Sequence, residues 1–171
     1  MTLEELHLHR LLVAHDGSAN ADLALRAAIT AARRDHAAIT LIAVAPDTST
    51  DLSRWAVVAG VPPASQDEVD AEAAAILRDA VQKVPEDIPV KSIVRRGKPG
   101  PEIIAQAREC GEYDAILLGA RGVGRVGSLM GSVSAYVLHH ADVAVFVAHA
   151  PRVREDEQGG AEPVSRSARR D

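Results

Sequence analysis

Two short stretches of the chain carry residue types suited to chemistry. The first is Asp16-Gly17-Ser18, where a carboxylate and a hydroxyl flank a glycine. The second runs from Gly119 to Gly131 and holds five of the chain's twelve glycines, at 119, 122, 124, 127 and 131. Bare backbone N–H groups in such a loop can curl around phosphate oxygens, and a helix starting at Ser132 adds the positive end of its dipole. Ser132 offers a hydroxyl, and Arg121 and Arg125 offer positive charge. The same composition also fits a plain surface loop with tight turns. Asp16 can accept hydrogen bonds from ribose hydroxyls, or can simply start a turn and cap the next helix. Ser18 reads as a helix cap rather than a nucleophile, because no Gly-x-Ser-x-Gly elbow surrounds it.

Other chemistries find less support. The seven histidines show no ligand spacing for zinc, so no metal site is expected on them. His7 and His9 fall in an unpatterned N-terminus, and His139-His140 end a helix, where cations suit the dipole. His15 stands apart because it adjoins Asp16. A Walker A loop is absent, as none of the three lysines has the required glycine and hydroxyl neighbours. Gly122 to Gly127 does match G-x-G-x-x-G. It follows the fourth strand rather than the first, and no acidic residue stands about 20 positions on, so a dinucleotide site is discounted. Cys110, the lone cysteine, is expected to be a buried, inert thiol.

The elements that must position these loops follow from hydrophobic patterning. Strands are expected at 10–14, 38–45, 90–94, 114–118 and 143–147. Between them lie helices from Ala19 to about Arg34, from the capping box Ser65-Gln66-Asp67-Glu68 to about Val84, from Pro101 to about Cys110, and from Ser132 to His140. Strands joined by helices run parallel with right-handed crossovers. The expected fold is therefore a doubly wound α/β sandwich: five parallel strands in the order 3-2-1-4-5 with helices on both faces. Ligands of such sheets sit at the carboxyl ends of the strands where the order reverses, here between the first and fourth. Both unusual loops fall there. Residues 1–9 form an N-terminal extension, 10–150 the domain, and 151–171 a tail expected to be disordered, with five arginines, five acids and no periodicity.

Composition narrows the partners. Aromatics are only 2%, so the core is built from Val, Ile, Leu and Ala, and base-stacking platforms are scarce. A net charge of -5 gives no dense basic face for nucleic acid. The N-terminus lacks the apolar run of a signal peptide, and no stretch approaches the ~20 apolar residues of a membrane span. The expectation is a cytoplasmic protein engaging neither nucleic acid nor membrane.

The glycine loop resembles a family signature. Gly119-Ala120-Arg121-Gly122, a spacer, and Gly131-Ser132 are similar to G-x2-G-x9-G-[ST] of universal stress proteins, with a spacer of eight residues rather than nine. Val13-Ala14-His15-Asp16-Gly17-Ser18, Gly97-Lys98-Pro99 and Tyr136-Val137-Leu138-His139-His140-Ala141 also resemble that family. The resemblance covers roughly 10–149. It implies ATP binding, in some members with magnesium or manganese. Carried over by position, Asp16 contacts the ribose, while Ala14 and Val44 offer backbone groups to the adenine. Leu118 and Gly119 flank base and sugar, and Gly122, Gly131, Ser132 and Val133 hold phosphates, with Arg121 or Arg125 taking over contacts altered by the short spacer. It also implies a homodimer through the last strand, and 143–147 is an apolar edge that favours pairing.

The implied function is a nucleotide-responsive regulator in stress adaptation, with an unidentified protein partner, rather than an enzyme. The alternatives are a slow ATP hydrolase using His15 or Asp16 and a protein-interaction domain that binds no nucleotide; an oxidoreductase ranks last. Cyclic AMP is an alternative ligand, because it shares adenine and ribose with ATP.

Overall fold

The computed structural model describes residues 7–49, 65–120 and 131–150. Its elements are β1 (Arg10–Ala14), α1 (Ala19–Asp35), β2 (Ala38–Ala45), α2 (Gln66–Gln82), β3 (Val90–Arg96), α3 (Pro99–Cys110), β4 (Ala115–Gly119), α4 (Ser132–His140) and β5 (Ala144–Ala148). The sheet is parallel throughout, in the order β3-β2-β1-β4-β5. The glycine loop between 121 and 130, the N-terminal six residues and the tail from 151 lie outside the described residues.

The apolar runs of β1, β2 and β4 are explained by burial on both faces. Leu11, Val13, Ile39, Leu41 and Leu117 pack with the Ala-rich faces of α1 and α2. Leu12, Ile42, Ile116 and Leu118 pack with Ile103 and Ile104 of α3 and Val137 of α4. Each fully buried Leu or Ile contributes roughly 1.5–3 kcal/mol relative to exposure. Small residues let the helices lie close: α1 buries Ala21, Ala24, Leu25, Ala28 and Ala32 on one stripe.

Local signals fix the helix ends. The Ser18 side chain accepts the Ala21 N–H at 3.2 Å and starts α1. Ser65 and Glu68 form the full capping box of α2. The start of α3 differs from the sequence expectation. Lys98 is the N-cap and Pro99, not Pro101, takes the first helical position, where its fixed φ and missing N–H cost nothing. β4 and β5 begin one residue later than expected. Asp114 is not a ladder residue: its carboxylate accepts the N–H groups of His9 and Arg10, at 2.6 and 2.8 Å, and so ties the start of β1 to the start of β4. β3 runs two residues further, to Arg96, because its last two side chains are anchored. Arg95 pairs with Glu102 and Glu109 of α3, each at 2.7 Å, while Arg96 pairs with Asp70 of α2.

Cys110 is a correction. It is exposed rather than buried. Its spacing from Ile103 and Gln106 fits the buried face of α3, but as the last helical residue it lies beyond the cover of the core. Its Sγ accepts a hydrogen bond from Gln106 Nε2 at 3.1 Å.

Tyr113 carries a buried hydroxyl that has no hydrogen-bond partner among the described residues. An unmade buried hydrogen bond opposes folding, so removing the oxygen removes a cost. Tyr113→Phe is expected to leave the melting temperature unchanged or raise it by roughly 1–4 °C. A clear fall, read by calorimetry, would show that the hydroxyl is satisfied in solution.

Candidate functional site

The carboxyl ends of β1, β2 and β4 open into a cavity of about 350 Å³. That is within the size range of small-molecule sites. β1 supplies Ala14 and the residues that follow it, His15 and Asp16; β2 supplies Val44 and Ala45; β4 supplies Leu118 and Gly119. Gly131, Val133 and Ser134 close one side from the start of α4. Thus Ala14, Asp16, Val44, Leu118, Gly119, Gly131 and Val133, singled out from sequence, share one cavity. Arg121 and Gly122 fall outside the described residues. Ser132 is exposed and is not among the lining residues. Ser134 takes that place: it is 1% exposed and its hydroxyl donates to the Gly119 carbonyl at 3.4 Å. Helix geometry decides between them, since two residues turn the side chain by about 200°.

Sequence reasoning missed two walls. Val69, Glu72, Ala73 and Ile76 of α2 line the cavity, as do Pro99 and Ile103 of α3. The signal for α2 was present, because Val69, Ala73 and Ile76 recur at i, i+4 and i+7 on one helix face. What it faced was not legible. The described lining has two carboxylates, Asp16 and Glu72, and no lysine or arginine. The floor is apolar, so it suits a flat ring with polar groups at its rim.

The turn after β1 is tightly specified. Asp16 is exposed, and its Oδ1 accepts the Ser18 N–H at 3.1 Å, so the aspartate both shapes the turn and borders the cavity. Gly17 has φ +79°, a region that side chains disfavour. His15 is buried, with its side chain 2% exposed. Its Nδ1 accepts the Gly17 N–H at 3.2 Å, and its Nε2 lies 3.1 Å from Asp22 Oδ1. Lys83 Nζ donates to the same oxygen at 2.6 Å. The Lys83 hydrogen bond, helped by His15 and opposed by desolvation, holds the Asp22 carboxyl below its ordinary pKa. Asn20 was not foreseen either. Its Nδ2 donates to the Ala120 carbonyl and its Oδ1 accepts the Ala150 N–H at 3.2 Å. One side chain in the first turn of α1 therefore holds the chain where it leaves β4 and where it leaves β5.

The family model for universal stress proteins matches residues 7–149. The chain belongs to the universal stress protein family. This family member is 30% identical over 148 residues to the universal stress protein Sll1388 of Synechocystis, covering 81% of this chain and 96% of the relative. It is 32% identical over 132 residues to YxiE of Bacillus subtilis, covering 74% and 88%. Among solved structures it resembles UspA of Lactobacillus plantarum, at 27% identity and a TM-score of 0.67, covering 85% of this chain and all of that one. It shares the fold of a universal stress protein in complex with cAMP, at 19% identity and a TM-score of 0.55, covering 84% and 98%. It also shares the fold of one from Archaeoglobus fulgidus in complex with dAMP, at 20% and 0.53, covering 84% and 100%. Among the described residues no helix is long and apolar enough to cross a membrane.

Gly119 has a steric role in the fold. A Cβ there would lie 2.5 Å from the Asn20 carbonyl carbon and 2.6 Å from the Ala21 nitrogen, both backbone atoms that cannot rotate away. Gly119→Ala is expected to push α1 from β4 and destabilise the fold by about 1–3 kcal/mol. Chemical denaturation measures this directly; a change under ~0.5 kcal/mol would mean that the two backbones do not approach so closely.

Proposed function

We propose that this universal stress protein binds an adenine nucleotide, ATP, in the cavity over β1, β2 and β4, and acts as a nucleotide-responsive regulator in stress adaptation rather than as an enzyme. The observation that carries the reading is the convergence of the Asp16 turn, the apolar ends of β2 and β4, and the start of α4 on a single cavity. The backbone of Ala14 and Val44 serves the adenine edge, and the Asp16 carboxylate takes the ribose hydroxyls. Leu118 and Gly119 flank base and sugar. Gly131 and Val133 lead into the phosphate end at the positive pole of α4, with Ser132, Arg121 and Gly122 assigned to the same end. The acidic described lining leaves phosphate charge to Arg121 or Arg125, or to a bound magnesium or manganese ion. The fold neighbours solved with cAMP and dAMP support an adenine nucleotide as the class of ligand.

Cyclic AMP remains a competing ligand, since the parts it shares with ATP are those that most of the cavity would grip. We further propose a homodimer through β5 in a cytoplasmic protein. β5 lies at the edge of the sheet, and Phe146 on it is 43% exposed. An apolar edge of that kind calls for a partner.

Isothermal titration with Mg-ATP and with cyclic AMP tests the reading. Wild type should bind one of them, and the preferred nucleotide names the signal. Asp16→Ala should weaken binding about tenfold, the effect of losing one hydrogen bond to a ribose. Gly122→Val should abolish it. No heat with either nucleotide, from folded protein stripped of copurified ligand, turns the assignment toward a protein-interaction domain.

A further inference from the structure

His15 is the one buried histidine among the described residues, and the nucleotide reading gives it no role. Both its ring nitrogens are engaged, and the two partners are of opposite kinds. The Gly17 N–H can only donate, so Nδ1 must be the unprotonated acceptor. Nε2 therefore carries the hydrogen and donates it to Asp22. Asp22 is a dependable acceptor because Lys83 keeps it ionised from the far side. A Nδ1–H tautomer would fail at both ends. It would set N–H against N–H at Gly17 and lone pair against carboxylate at Asp22.

The Gly17 N–H is the group that matters for the cavity. Gly17 occupies the left-handed turn between Asp16 and Ser18. Asp16 lines the cavity from that turn. Anchoring the amide of Gly17 to a buried, doubly held ring fixes the backbone on which the Asp16 carboxylate sits. We propose that His15 is a positioning residue of the nucleotide site, which holds Gly17 and so aims Asp16, with Asp22 and Lys83 setting its tautomer.

The inference rests on the nucleotide reading of the cavity, and it connects three elements: the exit of β1, the first turn of α1, and Lys83 at the C-cap of α2. Among the described residues, Asp22 of α1 is the charged group that contacts the ring, and Lys83 from the end of α2 contacts Asp22 in turn. Asp16 on its own loop and Glu72 of α2 border the same cavity. A ring protonated on both nitrogens has no acceptor for Gly17.

The test compares wild type, His15→Asn and His15→Phe by titration with Mg-ATP at about pH 8. Asn keeps an acceptor near the Nδ1 position but cannot be protonated. Phe keeps the ring and its burial but offers no acceptor. His15→Asn should bind within about threefold of wild type at pH 8. His15→Phe should bind about tenfold more weakly at pH 8. Long-range nitrogen–proton spectra should show the Nε2–H tautomer in wild type, and amide exchange at Gly17 should quicken in His15→Phe but not in His15→Asn. A merely structural role would lower the melting temperature of His15→Phe while leaving affinity and Gly17 exchange unchanged, and that outcome overturns the proposal. So does an Nδ1–H tautomer. If wild type binds neither Mg-ATP nor cyclic AMP while the tautomer and the Gly17 exchange behave as expected, the nucleotide reading fails and the ring's hold on the turn stands.

Discussion

The site depends on how closely the first turn of α1 can lie against the end of β4. There is no room for a side chain at Gly119, where the backbone of Asn20 and Ala21 presses in. Asn20 then reinforces the contact by bonding to Ala120 and Ala150. This contact sets the separation between the turn after β1 and the segment after β4, which are the two walls of the crevice at the switch in strand order. A larger residue at 119 would not merely strain one strand. It would move Asp16 relative to Gly131 and Ser134.

Polar groups near the cavity follow a consistent logic. A buried polar atom is costly unless it is paired, so each one present constrains its neighbours. Ser134 is tied to the Gly119 carbonyl and His15 to Gly17 and Asp22, while the exposed Asp16 is tied to its own turn. These bonds pre-form the rim before any ligand arrives. Pre-formed groups lose less freedom on binding than mobile ones, which is why such rims suit small ligands.

The two sheet edges are treated differently. β3 is flanked by charged anchors: Arg95 reaches α3 and Arg96 reaches α2, and these partners hold Glu109 and Asp70 below their ordinary pKa values. Partly exposed pairs of this kind contribute little each, but they also place charge on an edge that would otherwise invite another strand. Among the described residues β5 has no such guard. Its five residues, Ala144–Ala148, are uncharged.

Much of this was legible in the residues alone. β1, β2 and α4 match their expected bounds, because short apolar runs ended by Gly, Pro or a capping hydroxyl encode burial and element type locally. The meeting of Asp16 with Leu118 and Gly119 followed from strand order, since parallel connectivity sends both loops to one end. The tertiary structure decided the rest. Asp114 left the ladder to bind the start of β1, Ser134 rather than Ser132 turned inward, and α2 became a wall of the cavity. The hold of Asp22 on both His15 and Lys83 spans 61 residues on one side. Periodicity states which face of a helix is buried but not against what, and hydrogen bonds between side chains distant in sequence arise from packing distances that no local spacing encodes.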